Sequence, residues 1–263
     1  MHRKEDEDPD PFHWPKRVLT VASAALTLIF VLFCATLFVS VFQIQWRVGK
    51  AETSFDGTDL LIRFPINITN SGYYDINDFT ISTATSDRNG TVFSAASKPT
   101  TIKSQSNATI EHSIAIGIAD FFTAHRDYLF NSTELQVTEN ISLVAGGIVP
   151  VSLTINHTMF WGAPLSNLTV QTPTVTVLNY THVQVTGRLQ FANQAAFPVE
   201  GNVRLITYSG TQQTASTTYP VNIPAGSACD VTLILIVPVY PQPTGFKIEL
   251  QTSYFTWEVP ISG

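Results

Sequence analysis

Cysteine is nearly absent from this chain. Its 263 residues hold two, Cys34 inside a long apolar run and Cys229 far beyond it. They are not a pair, which argues against a disulfide-stapled scaffold. Cys229 reads as a small buried apolar residue, with an intermolecular disulfide as the alternative. Charge is scarce too, at 13% of residues, and beyond the apolar run 10 basic residues face 15 acidic ones. With no basic patch to meet phosphate, nucleic acid is not an expected partner. The P-loop, Gly-x-Gly-x-x-Gly and Gly-x-Ser-x-Gly patterns are missing. The histidines beyond the run, His112, His125, His157 and His182, lie more than four residues apart and have no metal-ligand spacing. Asp56, Asp59, Asp75 and Asp78 lack the loop pattern of a calcium site. The expectation is a protein that is not an enzyme, with no catalytic, cofactor-binding or metal-binding residues and no cofactor.

What is present begins with Val18 to Phe42, 25 residues without a charged side chain. About 20 residues at ~1.5 Å rise cross the hydrocarbon core of a bilayer. Lys16 and Arg17 precede the run, and Arg47 and Lys50 follow it. Trp14 and Trp46 bracket it, roughly 48 Å apart on a continuous helix. The run is too long for a secretory signal, and Gln45, Trp46 and Arg47 are no cleavage site, so it reads as an uncleaved anchor. Residues 1–17 are expected to form a disordered tail and residues 18–46 a single transmembrane helix. Arg3, Lys4, Lys16 and Arg17 outnumber Arg47 and Lys50, which places the N-terminus in the cytoplasm and residues 47–263 outside it, at the cell membrane.

Thirteen asparagines follow the run, and eight begin an Asn-x-Ser/Thr triplet: Asn67, Asn89, Asn107, Asn131, Asn140, Asn156, Asn167 and Asn179. About three are expected by chance. Such triplets accept glycans only in a translocated chain, so the excess supports the same orientation.

Strand periodicity dominates the remainder. Leu60, Ile62, Phe64, Ile66 and Ile68 alternate with mostly polar residues, the mark of a half-buried strand. The pattern returns at Val183, Val185, Gly187, Leu189 and Phe191, and each strand leads to an asparagine, Asn70 or Asn193, read as a turn residue. Ile102, Ser106, Ile110, Ile114 and Ile116 then match Ile223, Ser227, Val231, Leu235 and Val237. Trp161-Gly162-Ala163-Pro164-Leu165 matches Trp257-Glu258-Val259-Pro260-Ile261. A whole domain is therefore repeated. The expected fold is mainly β: one N-terminal transmembrane helix, then two tandem antiparallel sandwiches of fibronectin-III or immunoglobulin type, residues 47–165 and 166–263. The first carries extra residues read as a short helix near 120–130, capped by Asp120, with Ile118, Phe121, Phe122, His125 and Leu129 on one side.

Ile66-Asn67-Ile68-Thr69-Asn70-Ser71-Gly72-Tyr73-Tyr74 and Leu189-Gln190-Phe191-Ala192-Asn193-Gln194-Ala195-Ala196-Phe197 each run from an alternating strand through asparagine to an aromatic. This resembles the late embryogenesis abundant group 2 domain, also called the water-stress and hypersensitive-response domain, in two copies over residues 51–263. The resemblance implies a fibronectin-III-like sandwich, no catalytic residues and a structural or protective role in desiccation or stress. Asn70-Ser71-Gly72 and Asn193-Gln194-Ala195 replace the family's Asn-Pro-Asn. A surface adhesin or envelope-assembly protein is the alternative, and an apolar-ligand carrier, which needs a cavity between the sheets, is a third. The expected partners are the lipid bilayer through residues 18–46 and a protein partner or second copy at the surface.

Overall fold

The computed structural model describes residues 13–50, 52–87 and 90–262. The chain is mainly β, with one long N-terminal helix, α1 (His13–Phe42), and sixteen strands among the described residues. The first half contains β1 (Ile44–Val48), β2 (Glu52–Phe55), β3 (Asp59–Asn70), β4 (Ile76–Asp87), β5 (Gly90–Ala96), β6 (Thr100–Ile102) and β7 (Ser106–Gly117). Helix α2 (Ile118–Ala124) and a 3-10 turn (Arg126–Leu129) follow, then β8 (Thr133–Ala145) and β9 (Val149–Trp161). The second half contains β10 (Ser166–Val177), β11 (His182–Ala192), β12 (Val199–Ser209), β13 (Gln212–Ile223), β14 (Ala228–Pro238), β15 (Gly245–Thr252) and β16 (Thr256–Ser262).

Each half is a pair of antiparallel sheets. In the first, β3 lies between β7 on one side and β1 with β2 on the other, facing a sheet ordered β5-β4-β8-β9 with β6 beside β4. The second repeats the order as β10-β11-β14 facing β13-β12-β15-β16. The split between β1 and β2 falls opposite Pro65 of β3. Proline offers no N–H to an edge partner, and the carbonyl of Pro65 instead accepts from the Gly49 N–H at 2.7 Å. In β10 the register shifts at the matching height, between Gln171 and Thr174.

Asn70 and Asn193 stand at the turns expected of them, and both are buried. They are 1% and 0% exposed, and their carboxamides organise both sandwiches in the same way. Asn70 Nδ2 reaches the carbonyls of Tyr74, Ile102 and Lys103, and its Oδ1 accepts from the Gly72 N–H. Asn193 Nδ2 reaches the carbonyls of Phe197, Ile223 and Pro224, and its Oδ1 accepts from the Ala195 N–H. Buried backbone groups need partners, and one side chain here supplies four at a turn that no ladder can satisfy.

The long helix departs from expectation at both ends. It starts at His13, inside the segment assigned to the tail; residues 1–12 lie outside the described residues. It stops at Phe42, because the β-branched and aromatic residues of Ile44–Val48 pair with β3 from Asn70 to Ile66. Trp46 therefore lies on a strand of the first sheet, and that sandwich begins at residue 44 rather than 47. The described residues contain one helix long and apolar enough to cross a membrane, Val18–Phe42.

The extra segment of the first half forms a helix as expected, burying Ile118, Phe121, Phe122, Tyr128 and Leu129. Asp120 does not cap it. It lies in the first turn, and Gly117 is the N-cap residue, without a side-chain bond. His125 ends the helix, half-buried, its ring 5.4 Å from that of Phe121.

The two sandwiches stack end to end through aromatic rings. Trp161 packs 4.6 Å from Phe121 and donates to the Tyr128 carbonyl at 3.1 Å. Phe55, Phe122, Phe197, Tyr254 and Phe255 continue the cluster across the junction. The Gln194 N–H donates to the Ala163 carbonyl at 3.0 Å. Gly162 is required there, since a Cβ on it would lie 1.7 Å from the Gln194 carbonyl oxygen.

Candidate functional site

Strand alternation decides which side chains enter each core, and the central layer differs between the halves. In the first, Phe64 pairs with His112 across β3 and β7, and Thr83 pairs with Glu139 across β4 and β8. The registers of the second half put Gly187 opposite Leu233 and Leu205 opposite Ile248 at the same places. Leu205, Leu233 and Ile248 are completely buried. A Cβ on Gly187 would lie 3.3 Å from Ile248 Cδ1, so the second layer is closed. One apolar cluster runs the whole length of that core, from Leu165 through Val203 and Leu235 to Trp257.

The first core is instead divided. Leu60, Ile62, Ile114 and Leu135 belong to one cluster, Ile66, Ile68, Ile81 and Ile110 to another, and the polar layer lies between. Beside it opens a cavity of about 290 Å³. Its wall is mostly apolar, with Leu60, Ile62, Phe64, Phe93, Ile114, Val137, Met159 and Trp161, and its polar groups are Thr53, Thr83, Thr85, Glu139, His157 and Thr158. Thr53 and His157 to Phe160 lie on β2 and β9, the edge strands of the two sheets, so the mouth lies between those edges.

Polar atoms behind the wall are incompletely matched. His112, 1% exposed, shares a 2.8 Å hydrogen bond between Nε2 and Thr83 Oγ1. Its Nδ1 and the Thr85 hydroxyl have no hydrogen-bond partner among the described residues. An unmatched buried polar group costs about 1–3 kcal/mol. Burial holds the His112 imidazole below its usual protonation range, and the Glu139 carboxylate partly opposes this. The cavity wall can offer the threonine hydroxyls and one carboxylate edge to a molecule lying mostly against hydrocarbon, with the His112 imidazole behind Thr83. Among the described residues, no three of His, Cys, Asp and Glu converge as a metal site would need. Asp56 folds back on the Thr58 and Asp59 N–H groups, and Asp75 pairs with Lys103 and the Ser104 N–H.

Sequence reasoning missed this layer. The signal was the alternation of β7, where His112 falls in the inward row between Ile110 and Ile114, at the place Leu233 takes between Val231 and Leu235.

Of the eight acceptor asparagines, Asn89 lies outside the described residues. Asn67, Asn107, Asn131, Asn140, Asn156, Asn167 and Asn179 are all exposed. Asn67 accepts from Thr109, Asn156 from Thr138 and Asn140 from Thr154, on the outer faces of both sheets of the first half. Asn179 lies in the β10–β11 turn and accepts from the Thr181 and His182 N–H groups. Cys229 is buried, which pushes its thiol up to about 11, with Asp230 adding to the effect.

No family model matches the chain, and no curated protein matches it. Among solved structures, red sea bream transglutaminase aligns at a TM-score of 0.31 and 15% identity, over 84% of this chain and 31% of that one. A glycoside hydrolase family 2 β-glucuronidase gives 0.30 and 12%, over 80% and 25%. A chaperone–tip adhesin complex of CFA/I fimbriae gives 0.25 and 8%, over 82% and 98%. The chain thus spans less than a third of the length of the first two, and likeness at this level assigns neither fold family nor function.

Proposed function

We propose that this chain is a membrane-anchored, noncatalytic protein of late embryogenesis abundant group 2 type, displaying two sandwiches on the extracytoplasmic side, and that its first sandwich carries an apolar ligand between its sheets. The observation behind the ligand role is the contrast at one layer. Phe64, Thr83 and Glu139 line an open cavity, with His112 bonded to Thr83 behind its wall, where Gly187, Leu205, Leu233 and Ile248 close the same place in the second half. The structural or protective role implied by the resemblance requires no cavity, whereas the carrier role does, and that is why it is preferred. The 290 Å³ suits a slender chain or small ring, at the lower end of small-molecule sites. Glu139 disfavours a carboxylate, so the ligand class is an apolar molecule with one neutral hydrogen-bonding end. The lysine and arginine balance about α1 and the exposed acceptor asparagines support the orientation.

The test uses full-length protein in nanodiscs with a clickable, diazirine-bearing long-chain alcohol. Mass spectrometry should find the photolabel on peptides containing Phe93 and Met159. The double variant Thr83→Leu/Glu139→Ile, which copies the second half, should lose it. Equal labelling of the variant, or label confined to α1, refutes the carrier role.

A docking role has its own observation. Val177, Tyr180 and Tyr240 are 74%, 103% and 89% exposed at the far end of the second sandwich, an apolar surface suited to a protein partner. The β14 edge is closed meanwhile by the Tyr219 hydroxyl, which bonds both backbone groups of Ile234.

A further inference from the structure

The last turns of α1 touch the sandwich along one stripe. Leu37 and Ser40 are buried, and Phe33 and Thr36 are half-buried, against the β3–β4 turn and the β8–β9 turn. Thr36 Oγ1 lies 2.9 Å from the Tyr74 hydroxyl, and the Tyr74 N–H donates to Ser40 Oγ at 3.3 Å. A Cβ on Gly72 would lie 2.0 Å from Ser40 Oγ, and one on Gly146 would lie 3.2 Å from Leu37 Cδ1. At the same height the other faces of the helix are apolar and bare: Phe38 is 67% exposed and Phe42 76%.

Length settles where a bilayer must end. The stretch clear of the sandwich, Val18 to Leu32, rises only about 22 Å at ~1.5 Å per residue, short of a hydrocarbon core of ~30 Å. Lipid must therefore extend past Phe33 toward Phe42, beside the two turns. We propose that this end of the first sandwich is seated in the bilayer interface, with Tyr73 and Ile148 (64% and 65% exposed) inserted among the lipids. The proposal rests on α1 spanning the membrane.

The hydrogen bonding of the β3–β4 turn supports it independently. Backbone groups near hydrocarbon need protein partners, and here side chains provide them. Gln105 Nε2 donates to the Ser71 and Gly72 carbonyls at 2.6 and 3.0 Å. Asn70 serves the Gly72 N–H and the Tyr74 carbonyl, and Ser40 the Tyr74 N–H. The Gly146 N–H donates to the Asp75 carbonyl at 3.0 Å, and the Asp75 carboxylate is neutralised by Lys103 at 2.9 Å. The equivalent turn of the second half packs against the first sandwich through Ala195 and Phe197, which are buried, while Gln194 and Ala196 stay exposed and the Gln194 N–H bonds Ala163.

The test uses full-length protein carrying Cys34→Ala and Cys229→Ala, in phosphatidylcholine vesicles containing dibrominated phosphatidylcholine. An environment-sensitive fluorophore is attached at Ile148→Cys, at Phe38→Cys as the in-membrane reference, or at Asp56→Cys at the opposite end of the sandwich. The Ile148 probe should shift to the blue and lose about half its emission to bromine, as expected ~5–10 Å into the headgroup boundary; the Asp56 probe should be unaffected. Quenching at Phe38 without quenching at Ile148 overturns the seated end and leaves the anchor standing. Absence of quenching at Phe38 overturns both.

Discussion

Layer by layer, the two sandwiches agree at their ends and part in the middle. Both use the same strand order, and both tie their first long turn with a buried asparagine making the same four bonds. In the second, Leu205, Leu233 and Ile248 fill the central layer, each worth roughly 1.5–3 kcal/mol of buried side chain. In the first, Thr83, His112 and Glu139 occupy those positions, and some of that stabilisation gives way to a cavity and two unmatched polar atoms. Fold specification therefore resides in the asparagine and the strand alternation, while the central layer is free to change. Where a layer departs from the better-packed solution used elsewhere in the same chain, a ligand is the physical reason to look for.

The comparison can be broken most severely at the asparagines. Asn70→Ala and Asn193→Ala each strand several buried backbone groups, and each should destabilise its own half by about 3–5 kcal/mol. Peptide-resolved hydrogen exchange on the full-length protein would read this. A large loss in one half with none in the other would show that the two asparagines are not equivalent.

Exchanging the layers should have a smaller, opposite pair of effects. Leu233→His puts an imidazole into a closed apolar layer and should cost the second half about 2–4 kcal/mol. The double variant His112→Leu/Thr83→Val removes a desolvated pair from the first half and should stabilise it by about 1–2 kcal/mol. Urea unfolding of each variant, followed by the same exchange measurement, checks both signs. Destabilisation by the His112→Leu/Thr83→Val pair would mean that the polar layer is itself a stabilising element.

The smallest effect is a pH dependence confined to one half. Burial lowers the His112 pKa in the folded state, so the unfolded chain takes up a proton from about pH 6.5 downward that the folded chain resists. The contribution is complete above that range and is lost as pH falls through it. The first half should lose protection between about pH 7 and 5, and His112→Leu should flatten that slope while leaving exchange in the second half unchanged.

Much of the architecture was legible in the residues. The alternation of Leu60 to Ile68 and of Val183 to Phe191, the helix carrying Phe121 and Phe122, and the uncharged run from Val18 to Phe42 all follow from residue type and spacing along the chain, a local property. The end of α1 was not legible, since Ile44–Val48 becomes strand only because β3 offers it a partner. The turns at Asn70 and Asn193 were legible, but the burial of the two side chains was not, because it depends on carbonyls about thirty residues away. Asp120 fitted a cap by type and position, yet the helix began three residues earlier, where β7 hands the chain over.

By itself, then, the amino-acid order determined which faces are apolar, where the chain can cross a bilayer and that one unit occurs twice, because these depend on residue type and spacing. Only the tertiary structure decided that His112 and Thr83 meet, that a cavity opens beside them, that Gly162 admits the neighbouring turn and that Ser40 receives Gly72. Those outcomes depend on which strands face each other across the core and how closely, and no spacing along a single strand encodes that distance.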